Sequence, residues 1–242
     1  MIFAEHSRRG VWLSVAGVIG VGKTTLFDRL KKEVPNSLLF REEWERNPYL
    51  KDSYKEHPSS VYLSQRWFLE TKAKQIRTIQ KVLRQKVLIL QEPPLGADFA
   101  YAATLHDEKK ISDEDWEKYL RRFHYLANTL PHPTLLIYLS ATEDNVMSRI
   151  KRRGRDFEVN MKVEHIQRLI QYNEQQIREE QKHHPLAVLC IATNTLNLAD
   201  NNPDQQLVLR MIQDRLQRLF PPKEEPMRTN GHGPIRRLRG RR

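Results

Sequence analysis

Cysteine occurs once in the 242 residues, at Cys190, so neither an intrachain disulfide nor a cysteine-built metal site can form. Cys190 lies in the apolar run LAVLCIA, where core packing is the expectation. No apolar run approaches the roughly 20 residues that a membrane-spanning helix needs, so no membrane role is expected. The opening MIFAEHSRRG has no apolar stretch behind its charges, which reads as neither signal nor anchor. A cytoplasmic location is the resulting expectation. Internal repeats and an interdomain linker are absent too. The nine histidines show no metal-ligand spacing beyond the adjacent pair His183 and His184, and two neighbours alone do not make a site. No protein-bound zinc is expected.

Positive charge, by contrast, is plentiful: the net is +11, and it is unevenly placed. The stretch from Pro221 onward, PPKEEPMRTNGHGPIRRLRGRR, holds seven Lys and Arg against two Glu. Rich in Pro, Gly and Arg and without apolar periodicity, it cannot bury enough surface to fold. Residues 1–220 are therefore expected to form one domain, and 221–242 a disordered basic tail. A solvated extension is the plain expectation for that tail, and contact with a polyanion is the alternative its charge allows.

Within 1–220, short apolar runs alternate with amphipathic stretches, the pattern of a parallel sheet with crossover helices. Strands are expected at 11–17, 37–42, 87–92, 134–140 and 186–192. Helices are expected at Lys23–Glu33, Ser60–Gln85, Asp115–Asn128, Glu143–Arg152, Lys162–Gln181 and Asp204–Leu219. The fold class is α/β, a P-loop NTPase-type three-layer arrangement with a five-stranded parallel sheet.

The segment GVIGVGKT, residues 17–24, matches G-x-x-x-x-G-K-[ST] between a strand and a helix. Gly17, Gly20 and Gly22 let the backbone bend so that the N–H groups of Val18, Ile19, Val21 and their neighbours face phosphate oxygens. Lys23 offers a mobile cation to the β- and γ-phosphates, Thr24 a hydroxyl to Mg²⁺, and Thr24 and Thr25 open a helix whose positive end faces the anion. ATP and Mg²⁺ are the ligands this loop predicts.

Beyond the loop, four blocks resemble the deoxynucleoside kinase family, above all its bacterial purine-directed branch. In FREEWERNPYL (40–50), matching on Asn47-Pro48-Tyr49-Leu50 places Glu42 on the family's catalytic carboxylate. A base there makes chemical sense, since a nucleoside hydroxyl is a poor nucleophile. In SYKEHPSSVYLSQRWFLETK (53–72), Tyr54 falls on the tyrosine that holds the sugar 3′-hydroxyl and Gln65 on the base-reading glutamine. Lys72 stands where the family usually has an arginine near the base. Trp67 and Phe68 are either pocket wall or core. In SRIKRRGRDFE (148–158), Arg149, Arg153 and Arg155 fall on lid arginines that stabilise the transferring phosphoryl, and Glu158 on a second 3′-hydroxyl partner. Residues 195–212 resemble the loop and last helix that border the donor adenine.

One block departs. The family carries D/E-R-S after its third strand, whereas this chain reads QEPPLGADFAYA (91–102). Matching on Asp98, a substrate-binding position, puts Glu92 on the metal-holding acid and Pro93 on the arginine. Losing such a cation typically costs about 100- to 1000-fold in rate. Three accounts stand open: Lys72 or Arg66 takes over, the register slips at the prolines, or the protein binds nucleotides and catalyses poorly. The resemblance implies an ATP-dependent deoxynucleoside kinase, homodimeric, acting on a 5′-hydroxyl in nucleotide salvage, with a purine substrate favoured. Its rivals are a thymidylate-like monophosphate kinase and a non-catalytic nucleotide-binding protein.

Overall fold

The computed structural model describes residues 10–55, 57–154, 161–198 and 202–221. Five strands alternate with helices along the chain: β1 (Val11–Ala16), β2 (Leu38–Arg41), β3 (Leu88–Glu92), β4 (Leu135–Ser140) and β5 (Val188–Ala192). They form one sheet in the order β2-β3-β1-β4-β5, and every pairing is parallel. A parallel sheet buried on both faces needs apolar side chains on both, and β1, its central strand, has all six residues buried. Leu13 and Val15 join the core beneath α1 (Lys23–Glu33) and α8 (Pro203–Leu219), with Phe27, Leu30, Val208 and Ile212. Trp12 points the other way, into a core with α3 (Pro58–Leu83) and α5 (Asp113–Thr129) that includes Leu69, Ile79, Phe123 and Leu126.

Each expected strand and helix forms within a few residues of its expected bounds. Four elements were not legible. Three are short, the 3₁₀ turns at Trp44–Arg46 and Pro185–Ala187 and the single-turn α2 (Leu50–Ser53). The fourth, α4 (Leu95–Asp107), is thirteen residues long. It is wrapped by other helices, so Ala97, Asp98, Phe99, Ala100, Ala102, Ala103 and Thr104 are all buried. A helix apolar on every side has no polar stripe for periodicity to detect. The helices α6 (Glu143–Arg153) and α7 (Val163–His183) complete the set.

The expectation for Cys190 needs correction: it is exposed. β5 ends the sheet, and Leu189 and Ile191 take its inward positions. Cys190 alternates to the opposite face, where its Sγ accepts a hydrogen bond from Gln181 Nε2 at 3.5 Å. No helix among the described residues is long and apolar enough to cross a membrane. The basic stretch 222–242 lies outside the described residues.

Candidate active site

In open parallel sheets ligands gather at the carboxyl ends of the strands. There the chain places the glycine loop after β1, Glu42 after β2, Glu92 at the end of β3 and Thr193 after β5. Gly17 has φ +133°, and a Cβ on it would meet the Leu139 carbonyl oxygen at 2.3 Å. Only glycine fits this turn. Val18 and Val21 bury their side chains in the core, so a ligand can meet only their backbone. Lys23 Nζ donates to the carbonyls of Gly17 and Val18 at 2.9 and 3.0 Å, lying across the loop it is expected to serve. α1 then begins with no acidic residue in its own first turn, so its positive end is available to an anion, with Thr24 and Thr25 exposed on it.

Thr24 and Glu92, the two residues expected to hold metal, touch: Thr24 Oγ1 donates to Glu92 Oε1 at 3.1 Å. Burial pushes the Glu92 carboxyl above its ordinary value, while the Lys23 cation and the Thr24 hydrogen bond pull it back. A half-buried carboxylate beside a hydroxyl is a hard-oxygen donor set, the kind Mg²⁺ takes.

Next to this corner opens a cavity of about 910 Å³ lined by Glu42, Tyr54, Gln65, Phe68, Asp98 and Tyr101, among others. It is of a size that holds a small ligand. Glu42 is half-buried, and its Oε1 lies 3.3 Å from Lys72 Nζ. Its neighbour Glu43 is exposed and paired with Arg46, so only Glu42 departs from an ordinary solvated loop charge. Lys72 is 2% exposed. Beyond it sits Asp98, 5% exposed, whose carboxyl burial pushes up to about 8; the Lys72 cation opposes that shift and the Glu42 charge adds to it. Asp98 Oδ2 has no hydrogen-bond partner among the described residues, so a ligand donor would find an acceptor there.

Local packing explains why these side chains converge. Buried Asn47 donates to the carbonyl and hydroxyl of Ser64 at 3.2 and 3.0 Å and accepts from the Tyr49 N–H, pinning the loop after β2 to α3. Gln75 on α3 donates to the Arg41 carbonyl at 2.9 Å, one residue before Glu42. Gln75 in turn accepts from Gln91, which accepts from the indole of Trp12 and the hydroxyl of Ser14. A buried polar chain therefore ties β1, β3 and α3 to the end of β2. Gln65, on the same helix, faces the cavity and is 8% exposed. Tyr54 is 59% exposed at its mouth. Phe68 lines the wall and packs edge-on against Trp67 at 5.4 Å between centroids.

The expected lid divides. Arg149 donates to the Val21 carbonyl at 3.3 Å and to the hydroxyl and carbonyl of Thr193, stitching α6 to the glycine loop and the end of β5. Its guanidinium is partly buried, which lowers its pKa. Arg153 is exposed at the end of α6. Arg155 and Glu158 lie outside the described residues. Of the two cations that could replace the missing arginine, Arg66 is exposed and donates to the Tyr62 hydroxyl. Lys72 is the one beside Glu42.

The far wall of the cavity is built by residues that no sequence motif marks. Glu108, at the end of α4, faces His165 Nδ1 at 2.8 Å and Arg168 at 3.5 Å, both from α7, and pairs with Lys110 at 3.3 Å. Burial raises the Glu108 carboxyl, but the His165 and Lys110 contacts outweigh it and hold the group at about 2. His165 and Glu108 are 57 residues apart and share no motif, so nothing in the sequence joins them.

Comparison with known proteins bears on this site. The deoxynucleoside kinase family model matches residues 13–217. A deoxyguanosine kinase of Bacillus subtilis (strain 168) is 27% identical over 205 residues, 84% of this chain and 96% of that one. A deoxyadenosine kinase of Dictyostelium discoideum is 31% identical over 165 residues, 68% of this chain and 66% of that one. Among solved structures, deoxyadenosine kinase from M. mycoides with products dCMP and dCDP has a TM-score of 0.69 at 21% identity. It covers 85% of this chain, which covers 98% of it. The match spans the sheet, the glycine loop and the Glu42 pocket together, and the chain belongs to the deoxynucleoside kinase family, enzymes that phosphorylate deoxynucleosides.

Proposed function

We propose that this chain transfers the γ-phosphoryl of ATP to the 5′-hydroxyl of a deoxynucleoside, with Glu42 as the base and a purine substrate favoured. The observation that carries the reading is the position of Glu42, in contact with buried Lys72 on the wall of a cavity beside the glycine loop. Glu42 takes the hydroxyl proton as transfer proceeds, and Lys72 holds its carboxylate in place. Gln65 and Asp98 read the base: an amide donates and accepts on one edge, and Asp98 brings its unpaired oxygen. Tyr54 closes over the sugar, with Glu158 as its partner. The backbone of 17–25 and Lys23 hold the triphosphate, and the lid arginines Arg149, Arg153 and Arg155 stabilise it. Mg²⁺ held by Thr24 and Glu92 would neutralise charge on the phosphates.

Pro93 brings no cation, and Lys72 answers that loss only in part. It reaches Glu42, which leaves the phosphoryl charge to Lys23 and the lid arginines. The purine preference draws support from relatives named deoxyadenosine and deoxyguanosine kinases. The family reading also carries a homodimer, a cytoplasmic place in nucleotide salvage, and a domain of residues 1–220 followed by a basic tail.

The test is product formation from ATP and Mg²⁺ with each of the four deoxynucleosides and with dTMP, using Lys23→Ala as control. Deoxyadenosine or deoxyguanosine monophosphate formed by the wild type and not by the control supports the proposal. Transfer to dTMP alone would reassign the chain to monophosphate kinases. ATP binding without transfer to any acceptor would make it a nucleotide-binding protein.

A further inference from the structure

At the amino-terminal ends of β4 and β5, three side chains with metal-binding atoms meet. His132 stands in the loop before β4, and Glu180 and His184 lie at the end of α7, before β5. Their ligand atoms all lie within 4.8 Å of one another. His132 Nδ1 is 3.2 Å from Glu180 Oε2, and the rings of His132 and His184 are 4.8 Å apart at their centroids.

We infer that His132, Glu180 and His184 form a binding site for a divalent transition-metal ion of the zinc type. Glu180 and His184 are four residues apart, so one helical turn stacks them on a common side. The last turn is kept by the His184 N–H donating to the Glu180 carbonyl at 2.7 Å, and Pro185 follows directly. His132 is flanked by Pro131 and Pro133, whose rings fix φ on either side of it. Next to them, the Thr134 hydroxyl accepts from the buried Trp12 N–H at 3.0 Å, anchoring the loop to β1. The backbone carrying all three ligands is thus held before any ion arrives.

The donor set decides the metal. Two imidazoles and one carboxylate suit zinc and its neighbours, whereas Mg²⁺ prefers oxygen alone. Metal–ligand bonds of about 2.0–2.2 Å put tetrahedral ligand atoms about 3.4 Å apart. The present separations close to that by rotation of the exposed His132 and His184 rings about half-buried Glu180, and an ion replaces the His132–Glu180 contact. Water, or His183 on the same cleft, takes the fourth position. Because β4 and β5 are adjacent strands, the ion would clamp together the two loops that lead into them. It lies far from the glycine loop, at the other ends of the strands. Sequence spacing could not register the site, since His132 is 48 residues from Glu180.

The test is zinc titration of the full chain in excess Mg²⁺, which occupies oxygen-only sites, read by calorimetry and by Tm. The expected result is one zinc per chain and a Tm rise of roughly 5–10 °C at about 100 times the dissociation constant. His132→Ala and His184→Ala should each abolish the uptake, and His57→Ala, at an exposed histidine before α3, should keep it. Glu180→Gln, which keeps the side-chain shape, should weaken binding with the zinc-free Tm little changed. Uptake unchanged in His132→Ala or His184→Ala, or a wild-type Tm indifferent to zinc, would overturn the site.

Discussion

Lys72 Nζ lies 3.3 Å from Glu42 Oε1 although the two are 30 residues apart, one on α3 and one just past β2. A 2%-exposed ammonium is tolerated only beside negative charge, and Glu42 provides it. The pair orients the base in the pocket, and its position depends on how α3 crosses the sheet.

If the ion pair sets Glu42, Lys72→Met should lower kcat by about 100-fold, the low end of what a well-positioned general base contributes. KM for ATP should stay near its wild-type value, because Lys72 does not touch the glycine loop. Lys72→Arg should recover part of the rate. Steady-state kinetics of the three proteins decide it, and an unchanged kcat in Lys72→Met would remove Lys72 from the mechanism.

Gly17→Ala should damage fold and nucleotide binding together. The added Cβ meets backbone at 2.3 Å and the Val21 side chain at 2.9 Å, at a φ that side chains rarely adopt. A loss of about 2–4 kcal/mol in urea unfolding is expected from strain and clash combined.

Glu92→Gln should raise the Mg²⁺ concentration needed for half-maximal turnover while the protein still folds. The amide keeps an acceptor for Thr24 Oγ1, now at 3.1 Å from Glu92, but removes the charge that attracts the ion. Mg²⁺ titration of activity reads this directly, and chelation should abolish turnover in both proteins.

Glu108 predicts a pH effect. Its folded value of about 2 lies below the ordinary 4.5, so its contribution to stability is complete above about 4.5 and is lost as pH falls toward 2. Glu108→Gln should lower the urea midpoint at pH 7 and flatten the dependence between those pH values. Equal slopes for the two proteins would remove Glu108 from the acid limb.

The parallel sheet was legible because its apolar runs alternate with amphipathic helical stretches along most of the chain. The glycine loop was legible because three glycines and Gly-Lys-Thr have one common use. α4 hid because burial on all sides erased its period, although Asp98 on it had been placed by resemblance. Cys190 misled because its apolar neighbours belong to an edge strand with alternating faces. Lys72 was matched to the base, but its contact with Glu42 depends on helix crossing, which no local pattern encodes. Glu108–His165 and His132–Glu180 are likewise products of topology, each joining positions about fifty residues apart.

The most direct test of the central claim compares wild type and Glu42→Gln in phosphoryl transfer from ATP to deoxyadenosine and deoxyguanosine, with nucleoside affinity measured alongside. A fall in kcat of about 100- to 10,000-fold is expected, the range of general-base catalysis, with affinity little changed. A variant that turns over at the wild-type rate would contradict Glu42 as the base.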